Sequence, residues 1–358
     1  MAALVAAALA GGLVSADRAV RLASGPLTET RLHLLAKTPP RAPRALQARL
    51  DGLTAAYGEE VGVAVTDVTE GWTAGVDKDR PYPQQSVSKL WVAITVMKAV
   101  DEGRIDPEAW VTLTDADRSV FFQPVAYNIG TAGYTTQVAS LLRRALVESD
   151  NAANDKLMRE IGGPDGVSAA LSDMGLTGVK VGAYERDLQA RTAGLVWQAE
   201  YGVGWNFQAA RQALPTATRE AAMEAYLADP LDGASPAGIT AALAALSRGE
   251  LLSPQSTGRL LDLMHDARTG PRRLKGGLPS GWLIAHKTGT GQDFEGAAIG
   301  INDVGLLTAP DGHTFAVAVM MRQTRKAVPA RLAFMQAVTR AVAEQWAQGQ
   351  PASRAGPL

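Results

Sequence analysis

The sequence predicts an α+β fold in which one antiparallel five-stranded sheet, flanked by helices, is joined to an all-α lobe. Strand patterns occur only near the two ends of the chain, at about 61–65, 72–76, 282–287, 297–307 and 314–321. Between them, from about 112 to 267, the patterns are helical. Because the strands flank a helical segment, we expect them to share one sheet and the helical segment to form a second lobe.

The helices beside the predicted sheet are indicated by the spacing of apolar residues. One apolar face repeats over 43–57, and an amphipathic pattern covers 328–346. A third helix, predicted over 86–100, is apolar nearly all round, which is typical of a helix at the centre of a fold. The middle of the chain contains further helical patterns near 137–148, 152–161, 165–174, 237–248 and 254–266.

We therefore expect two subdomains. The first combines 43–111 with 268–347 in an α/β unit, and the second is the all-α unit at 112–267. A crevice between two such lobes is the expected ligand site.

Composition excludes several classes of function. The 358 residues include 35 Lys plus Arg and 36 Asp plus Glu, so no strong overall charge attracts nucleic acid. There is no cysteine, which excludes disulfides and thiolate catalysis, and the four histidines show no metal-binding spacing. We expect no cofactor, no metal and a small-molecule substrate. We also expect a monomer.

The two ends of the chain carry separate signals. Residues 1–16 form a small-apolar run that ends in a small-x-small pattern, which predicts a signal peptide; a buried or frayed helix is the alternative. Residues 17–42 are predicted as an N-terminal extension and 348–358 as a disordered tail. The protein is thus expected in the periplasm or secreted by a bacterium, without stable membrane insertion after processing.

Ser86 and Lys89 are the first candidates for chemistry. A serine and a lysine three apart on a helix lie on one face, with Cβ atoms about 5–6 Å apart. The serine hydroxyl needs a base, and a lysine serves as one only when its surroundings lower its pKa. Alone, the pair also fits a helix cap followed by a surface lysine.

Two further motifs occur later in the chain. Ser149-Asp150-Asn151 lies at a helix junction, where it fits either a helix cap or a polar group that faces the crevice. Lys287-Thr288-Gly289-Thr290 ends a predicted strand, where it offers an ammonium group, hydroxyls and a glycine that permits close approach of a ligand. A Gly-terminated surface strand is the alternative interpretation.

Together, Ser-x-x-Lys, Ser-Asp-Asn and Lys-Thr-Gly resemble the signature of the penicillin-recognising serine enzymes. The resemblance covers roughly residues 44–346 and implies a β-lactamase/D,D-peptidase-like fold. It implies that Ser86 is the nucleophile, that Ser149 relays a proton, and that Asn151, Lys287, Thr288, Gly289 and Thr290 bind substrate. The backbone N–H groups of Ser86 and Thr290 would form the oxyanion hole.

A fourth motif resembles class A serine β-lactamases in particular. Tyr184-Glu185-Arg186-Asp187-Leu188-Gln189 matches the Ω-loop segment of that class, in which a glutamate activates the deacylating water. Glu185 would be that base and Gln189 would help to hold the water. A solvated glutamate in a charged turn is the alternative. Phe122 resembles the aromatic residue that packs on substrate at the mouth of the cleft.

The sequence departs from the class A pattern at three places. Ala183 replaces the arginine that pairs with the loop-closing aspartate, so either Asp232 pairs with another residue, such as Arg186 or Arg191, or the loop is held differently. No arginine comes shortly after Lys287-Thr288-Gly289, so Lys287, Thr288 and Thr290 are expected to hold the carboxylate unaided or with Arg322. An insertion at about 190–231 is expected to form a lid or an extra wall.

The resemblance implies a serine β-lactamase, a hydrolase of cyclic amides. A D,D-peptidase or penicillin-binding protein would share the first three motifs, and only Glu185 with Gln189 argues against it. A related serine esterase remains an alternative. A cell-wall-binding module that has lost turnover is the non-enzymatic one.

Overall fold

The computed structural model describes residues 40–349. The predicted signal peptide, nearly all of the predicted extension and residues 350–358 lie outside the described residues. The last helix ends at Gly349, so the predicted tail, which began at 348, starts at least two residues too early. No helix in the described part is long and apolar enough to cross a membrane.

Ten strands occur in the described part of the chain: β1 Val61–Asp67, β2 Thr73–Val76, β3 Tyr82–Pro83, β4 Trp110–Leu113, β5 Tyr134–Gln137, β6 Gly233–Ala234, β7 Leu283–Gly289, β8 Asp293–Phe294, β9 Ala297–Thr308 and β10 Thr314–Thr324. The α-helices are α1 Arg44–Tyr57, α2 Lys89–Asp101, α3 Val138–Arg143, α4 Asn151–Glu160, α5 Gly163–Asp173, α6 Glu185–Thr192, α7 Asn206–Ala213, α8 Thr216–Ala228, α9 Pro236–Ser247, α10 Pro254–His265 and α11 Val328–Gly349.

The main sheet joins the two ends of the chain, and the predicted fold class is confirmed. Its antiparallel order is β2-β1-β10-β9-β7, with the short β8 also paired to β9. Val61 of β1 lies opposite Met321 of β10, and Lys287 of β7 lies opposite Val304 of β9. Strand β7 ends the order, so its sequence motif lies on an edge of the sheet.

The sheet is buried on both faces. In β10, Ala316, Ala318 and Met320 pack into one apolar cluster with α2 and α9, while Val317 and Val319 pack into a second cluster with α1 and α11. Alternate side chains of a strand point to opposite faces, which explains this division. Because helices cover both faces, β10 is apolar along most of its length instead of alternating with polar residues.

Helix α2 lies at the centre, as its apolar composition predicts. A 3₁₀ turn, Gln85–Ser88, precedes it and carries Ser86, and ten of the 13 residues of α2 are buried. This buried start fixes the serine on a rigid element.

The segment predicted as all-helical is more varied than expected. It includes part of a two-stranded ribbon, β4 with β5, and β6, which pairs with β3. Strand β4 alternates exposed and half-buried residues over only four positions, too few for a clear period. Helices α6, α7 and α8 were also not predicted.

Candidate active site

A cleft of about 530 Å³ lies where β7 meets the helical residues. Its lining includes eight residues proposed from sequence: Ser86, Phe122, Ser149, Asn151, Glu185, Gln189, Thr288 and Thr290. Phe122 is 55 % exposed, as expected for an aromatic side chain at the mouth. The two lysines of the motifs, Lys89 and Lys287, are fully buried and do not line the cleft.

Lys89 joins the serine to the glutamate. Its Nζ donates to Ser86 Oγ at 2.8 Å and to Glu185 Oε2 at 2.8 Å. The Lys89 side chain is 0 % exposed and that of Glu185 is 3 % exposed, so both charges are shielded from solvent. Serine, lysine and acid therefore form one connected proton path beneath the cleft.

Glu185 remains ionised in this buried place. Burial alone would raise the pKa of its carboxyl group, but the Lys89 ammonium and hydrogen bonds from Lys89 and Gln189 hold the pKa below its usual range. Gln189 Nε2 donates to Glu185 Oε1 at 2.9 Å. Both carboxylate oxygens thus have a donor, which stabilises the charged form.

Ser149, which lines the cleft, is hydrogen-bonded to the buried Lys287. A π-helical turn, Arg144–Glu148, ends at Ser149, which has a left-handed backbone with φ 65°. Its Oγ accepts a hydrogen bond of 2.9 Å from Lys287 Nζ. Burial and the charge of Lys89 hold the pKa of Lys287 well below its usual value. The Lys287 ammonium is therefore a stronger acid than that of an exposed lysine.

The other two residues of the Ser-Asp-Asn motif have different tasks. Asp150 caps α4 by accepting from Ala153 N at 2.9 Å, as the helix-cap interpretation predicts. Asn151 lines the cleft, and its Nδ2 donates to Val120 O at 2.8 Å. One N–H of that amide remains for a ligand.

Gly289 is required for packing against protein. It does not line the cleft, and a Cβ at this position would collide with the main-chain oxygen of Gln84. That this glycine also permits close approach of a ligand stays a prediction. Its role is to let the end of β7 approach the turn that carries Ser86.

The family is settled by the chain's match to a family model. The model of the Beta-lactamase enzyme family matches residues 44–346. The chain belongs to this family. Among curated relatives, it is 27 % identical to "Beta-lactamase VEB-1" of Pseudomonas aeruginosa over 282 residues, which is 78 % of this chain and 83 % of that protein. It is 25 % identical to "Beta-lactamase FAR-1" of Nocardia farcinica over 297 residues, 82 % and 81 % of the two chains.

Solved structures give the same result. "Ancestral (GNCA) Beta-lactamase class A" superposes with a TM-score of 0.67 at 28 % identity, covering 84 % of this chain and 99 % of that one. "TLA-1 extended spectrum Beta-lactamase" has a TM-score of 0.70 at 22 % identity, covering 85 % and 99 %, and supports the fold alone. The resemblance to class A β-lactamases inferred from the motifs is confirmed.

In this β-lactamase-family chain, Asp232 is held by hydrogen bonds from Gln85 and Tyr226 and not by an arginine. Its Oδ2 accepts from Gln85 N at 2.6 Å and its Oδ1 from Tyr226 Oη at 2.9 Å. The predicted pairing with Arg186 or Arg191 is wrong. Arg186 reaches main-chain oxygens of Ala116 and Arg118 instead. A buried carboxylate without an arginine uses hydrogen-bond donors in its place.

Arg273 is a cleft arginine that the sequence motifs did not indicate. It lines the cleft, donates from Nη1 to Gly289 O at 2.9 Å and from Nη2 to Thr290 Oγ1 at 2.6 Å. The expectation for Arg322 is wrong, because that side chain pairs with Glu60 at 2.8 Å and does not line the cleft. Arg273 precedes the Lys-Thr-Gly motif in the chain, whereas the class A pattern places its arginine after that motif.

His286 supports β7 from inside the fold. Its Nδ1 lies 2.8 Å from Asp303 Oδ1 of β9, and both side chains are buried. Within residues 40–349, no group of three or more acidic or histidine side chains is placed to hold a metal ion.

The insertion contributes a wall to the cleft. Arg211 of α7 lines the cleft and donates from Nη2 to Asp293 O at 2.5 Å. Behind it, Phe207 packs edge-on against Phe121 with ring centroids 5.2 Å apart, and against Tyr201 with centroids 6.0 Å apart. This aromatic cluster attaches the insertion to the helical part of the fold.

Proposed function

We propose that this chain hydrolyses β-lactams through an acyl-enzyme on Ser86, and that Glu185 activates the water that releases the product. The observation that carries the proposal is the position of Lys89 Nζ, which lies 2.8 Å from Ser86 Oγ and 2.8 Å from Glu185 Oε2. A two-step hydrolysis requires a nucleophile with a connected base for acylation. It also requires a carboxylate that activates water for deacylation.

In the first step, Ser86 Oγ attacks the lactam carbonyl and the lactam C–N bond breaks. Lys89 passes a proton to Glu185 across their hydrogen bond and takes up the serine proton in its place. The oxyanion accepts hydrogen bonds from the N–H groups of Ser86 and Thr290. Ser149 donates a proton to the leaving nitrogen, and Lys287 replaces it across 2.9 Å. Solvent then takes the extra proton from Glu185 and returns a proton to Lys287.

In the second step, the Glu185 carboxylate takes a proton from water while the oxygen attacks the ester carbonyl. The ester bond to Ser86 Oγ breaks, and Glu185 returns the proton to the serine oxygen through Lys89. Gln189 supports this step because its Nε2 donates both to Glu185 Oε1 at 2.9 Å and to Gln85 Oε1 at 2.8 Å. It therefore fixes the acid relative to the turn that carries the nucleophile.

Substrate orientation follows from the charges along the cleft. Arg273, Thr288 and Thr290 lie together near the end of β7, where they bind the carboxylate that β-lactams carry. Asn151, on the opposite wall, binds the amide of the acyl side chain, and Phe122 packs against it at the mouth. Lys287 adds positive charge below the carboxylate when it is protonated.

The test is the fate of the acyl-enzyme in Glu185→Gln. Loss of a general base costs roughly 10²- to 10⁴-fold in rate. We expect a burst of chromogenic cephalosporin equal to the enzyme concentration, followed by turnover at least about 100-fold slower than in the wild type. Mass spectrometry should find the adduct on Ser86. Glu224→Gln, an exposed residue of α8, is the matched control and should turn over normally.

The rival functions predict other results. A D,D-peptidase or penicillin-binding protein would form the adduct but release it slowly in the wild type. A cell-wall-binding module would form no adduct with any β-lactam. Fast wild-type turnover with accumulation only in Glu185→Gln supports the proposal over both.

The location and assembly of the protein are part of the proposal. We propose that it acts outside the cytoplasm, because residues 1–16 have the pattern of an export signal. We also propose that it acts as a monomer. Fractionation of bacteria that express the full chain, with N-terminal sequencing of the product, tests the location.

A further inference from the structure

We infer that Arg211 forms an anion-binding subsite in the cleft, and that the preferred substrates carry a carboxylate on the acylamino side chain. The inference rests on the proposed β-lactam hydrolysis and names the class of substrate that this cleft selects. Its basis is a half-buried arginine that lines the cleft from the insertion and forms no ion pair among residues 40–349, although the Asp293 carboxylate acts on it from further away.

The order of residues along the edge of the sheet fixes which end of the substrate reaches Arg211. Thr288 and Thr290, with Arg273, occupy one stretch of this edge. Two residues after Thr290, Gln292 Nε2 donates to Gln189 O at 2.9 Å, and Gln189 belongs to the same helix as Glu185. Asp293, the next residue, meets Arg211. A substrate whose ring carboxylate lies near Arg273 therefore directs its acylamino substituent toward Gln189, Gln292 and Arg211.

The guanidinium of Arg211 has hydrogen-bonding capacity to spare. Its Nη2 donates to the main-chain oxygen of Asp293, and it forms no ion pair with a carboxylate in the described part of the chain. An arginine has five N–H donors, which match a carboxylate in two parallel hydrogen bonds. Most of these donors therefore have no protein acceptor in the described part of the chain.

The charges around Arg211 favour an added anion. Burial, followed by the positive charge of Arg219, lowers the pKa of Arg211, and the Asp293 carboxylate opposes this effect only in part. A half-buried cation that is repelled by a second cation is stabilised when a carboxylate arrives. Charge-assisted hydrogen bonds of this kind contribute about 1.5–3 kcal/mol, which corresponds to roughly a 10- to 150-fold gain in affinity.

The test compares two cephalosporins that differ in one group. Glutaryl-7-aminocephalosporanic acid ends its side chain in a carboxylate, and its monoamide places a neutral group of similar size there. For the wild type we expect kcat/KM for the acid to exceed that for the amide by about tenfold or more, chiefly through KM. In Arg211→Gln the ratio should fall to near 1, and Arg211→Lys should retain part of it.

Arg219→Gln provides the matched control for charge, because Arg219 lies on α8, stacks on Phe294 and does not line the cleft. This variant should keep most of the preference for the acid, because Arg211 itself remains. A wild type that hydrolyses both compounds with equal kcat/KM, or an equal loss of preference in Arg219→Gln, would overturn the subsite while leaving the proposed hydrolysis intact. Failure of the wild type to hydrolyse or bind covalently to either compound would overturn both.

Discussion

The buried carboxylate of Asp155 accepts a hydrogen bond of 2.7 Å from the backbone N–H of Glu185 and so holds the first residue of α6 at the base of the cleft. Its second oxygen accepts from Arg186 N at 3.2 Å and from Ser119 Oγ at 2.9 Å. One acid is thus positioned by another. Burial, and then the charge of Glu185, raise the pKa of Asp155 to about 6.

This raised pKa predicts how stability depends on pH. Between about pH 4 and pH 6 the folded protein keeps a proton on Asp155 that the unfolded chain, with an ordinary pKa near 3.9, has released. The contribution of Asp155 to the free energy of unfolding therefore falls as pH rises from about 4 to about 6. The change is on the order of 3 kcal/mol, since each pKa unit corresponds to about 1.4 kcal/mol.

We expect Asp155→Asn, which has no proton to exchange at this position, to gain stability relative to the wild type by about that amount between pH 4 and pH 7. Urea unfolding at several pH values measures the difference. Asp232→Asn should change with the same sign, because burial likewise raises the pKa of Asp232 to about 6. A difference that stays constant across this pH range would contradict the assignment.

Tyr226→Phe tests the hydrogen bonds that replace the missing arginine. The hydroxyl donates to Asp232 Oδ1 at 2.9 Å and accepts from Gln85 Nε2 at 2.6 Å. Its loss leaves two buried polar groups without a partner, so we expect a loss of about 2–4 kcal/mol in the free energy of unfolding and slower turnover. Tyr127→Phe removes a hydroxyl from a side chain that is 91 % exposed and should have little effect.

Gly289→Ala tests the close packing of β7 against the turn before Ser86. The added Cβ would meet the main-chain oxygen of Gln84. A main-chain atom cannot move aside as the end of a flexible side chain can. We expect a marked fall in kcat together with reduced thermal stability, because the turn that carries the nucleophile must shift. Gly258→Ala, in α10, meets nothing within 4 Å and should raise stability by up to about 1 kcal/mol.

Arg273→Gln tests carboxylate binding at the other end of the cleft. Loss of a charged donor should raise KM by roughly 10- to 100-fold for substrates with a ring carboxylate. Steady-state kinetics with one cephalosporin measures this change. Arg272→Gln alters the adjacent, exposed arginine and should leave KM as it is. An unchanged KM in Arg273→Gln would show that another group binds the carboxylate.

The sheet and the central helix were predictable because their physical signals are local. Strands β1, β9 and β10 are long apolar segments between turn residues, and α2 is apolar on nearly all sides. Helix α6 was not predicted because its sequence, ERDLQART, is mostly polar and has little apolar periodicity. Its position is set by tertiary contacts such as those of Asp155.

The catalytic candidates could be named from sequence because each motif is short and continuous. The residues that support them could not. Tyr226 and Asp232 are close in the sequence but meet Gln85 only in the folded chain, and Arg273 reaches the end of β7 from a preceding turn. A single sequence carries no signal for such contacts, because they depend on how distant segments pack.

The pairing of β1 with β10 has a consequence for biosynthesis. Val61 finds its partner, Met321, only when almost the whole polypeptide has been made. Closing so long a loop is costly in chain entropy, so folding should be slow and should begin late. A nascent chain of this kind stays unfolded until its synthesis is nearly complete, and a transcript cut short before codon 314 should give a product that is degraded.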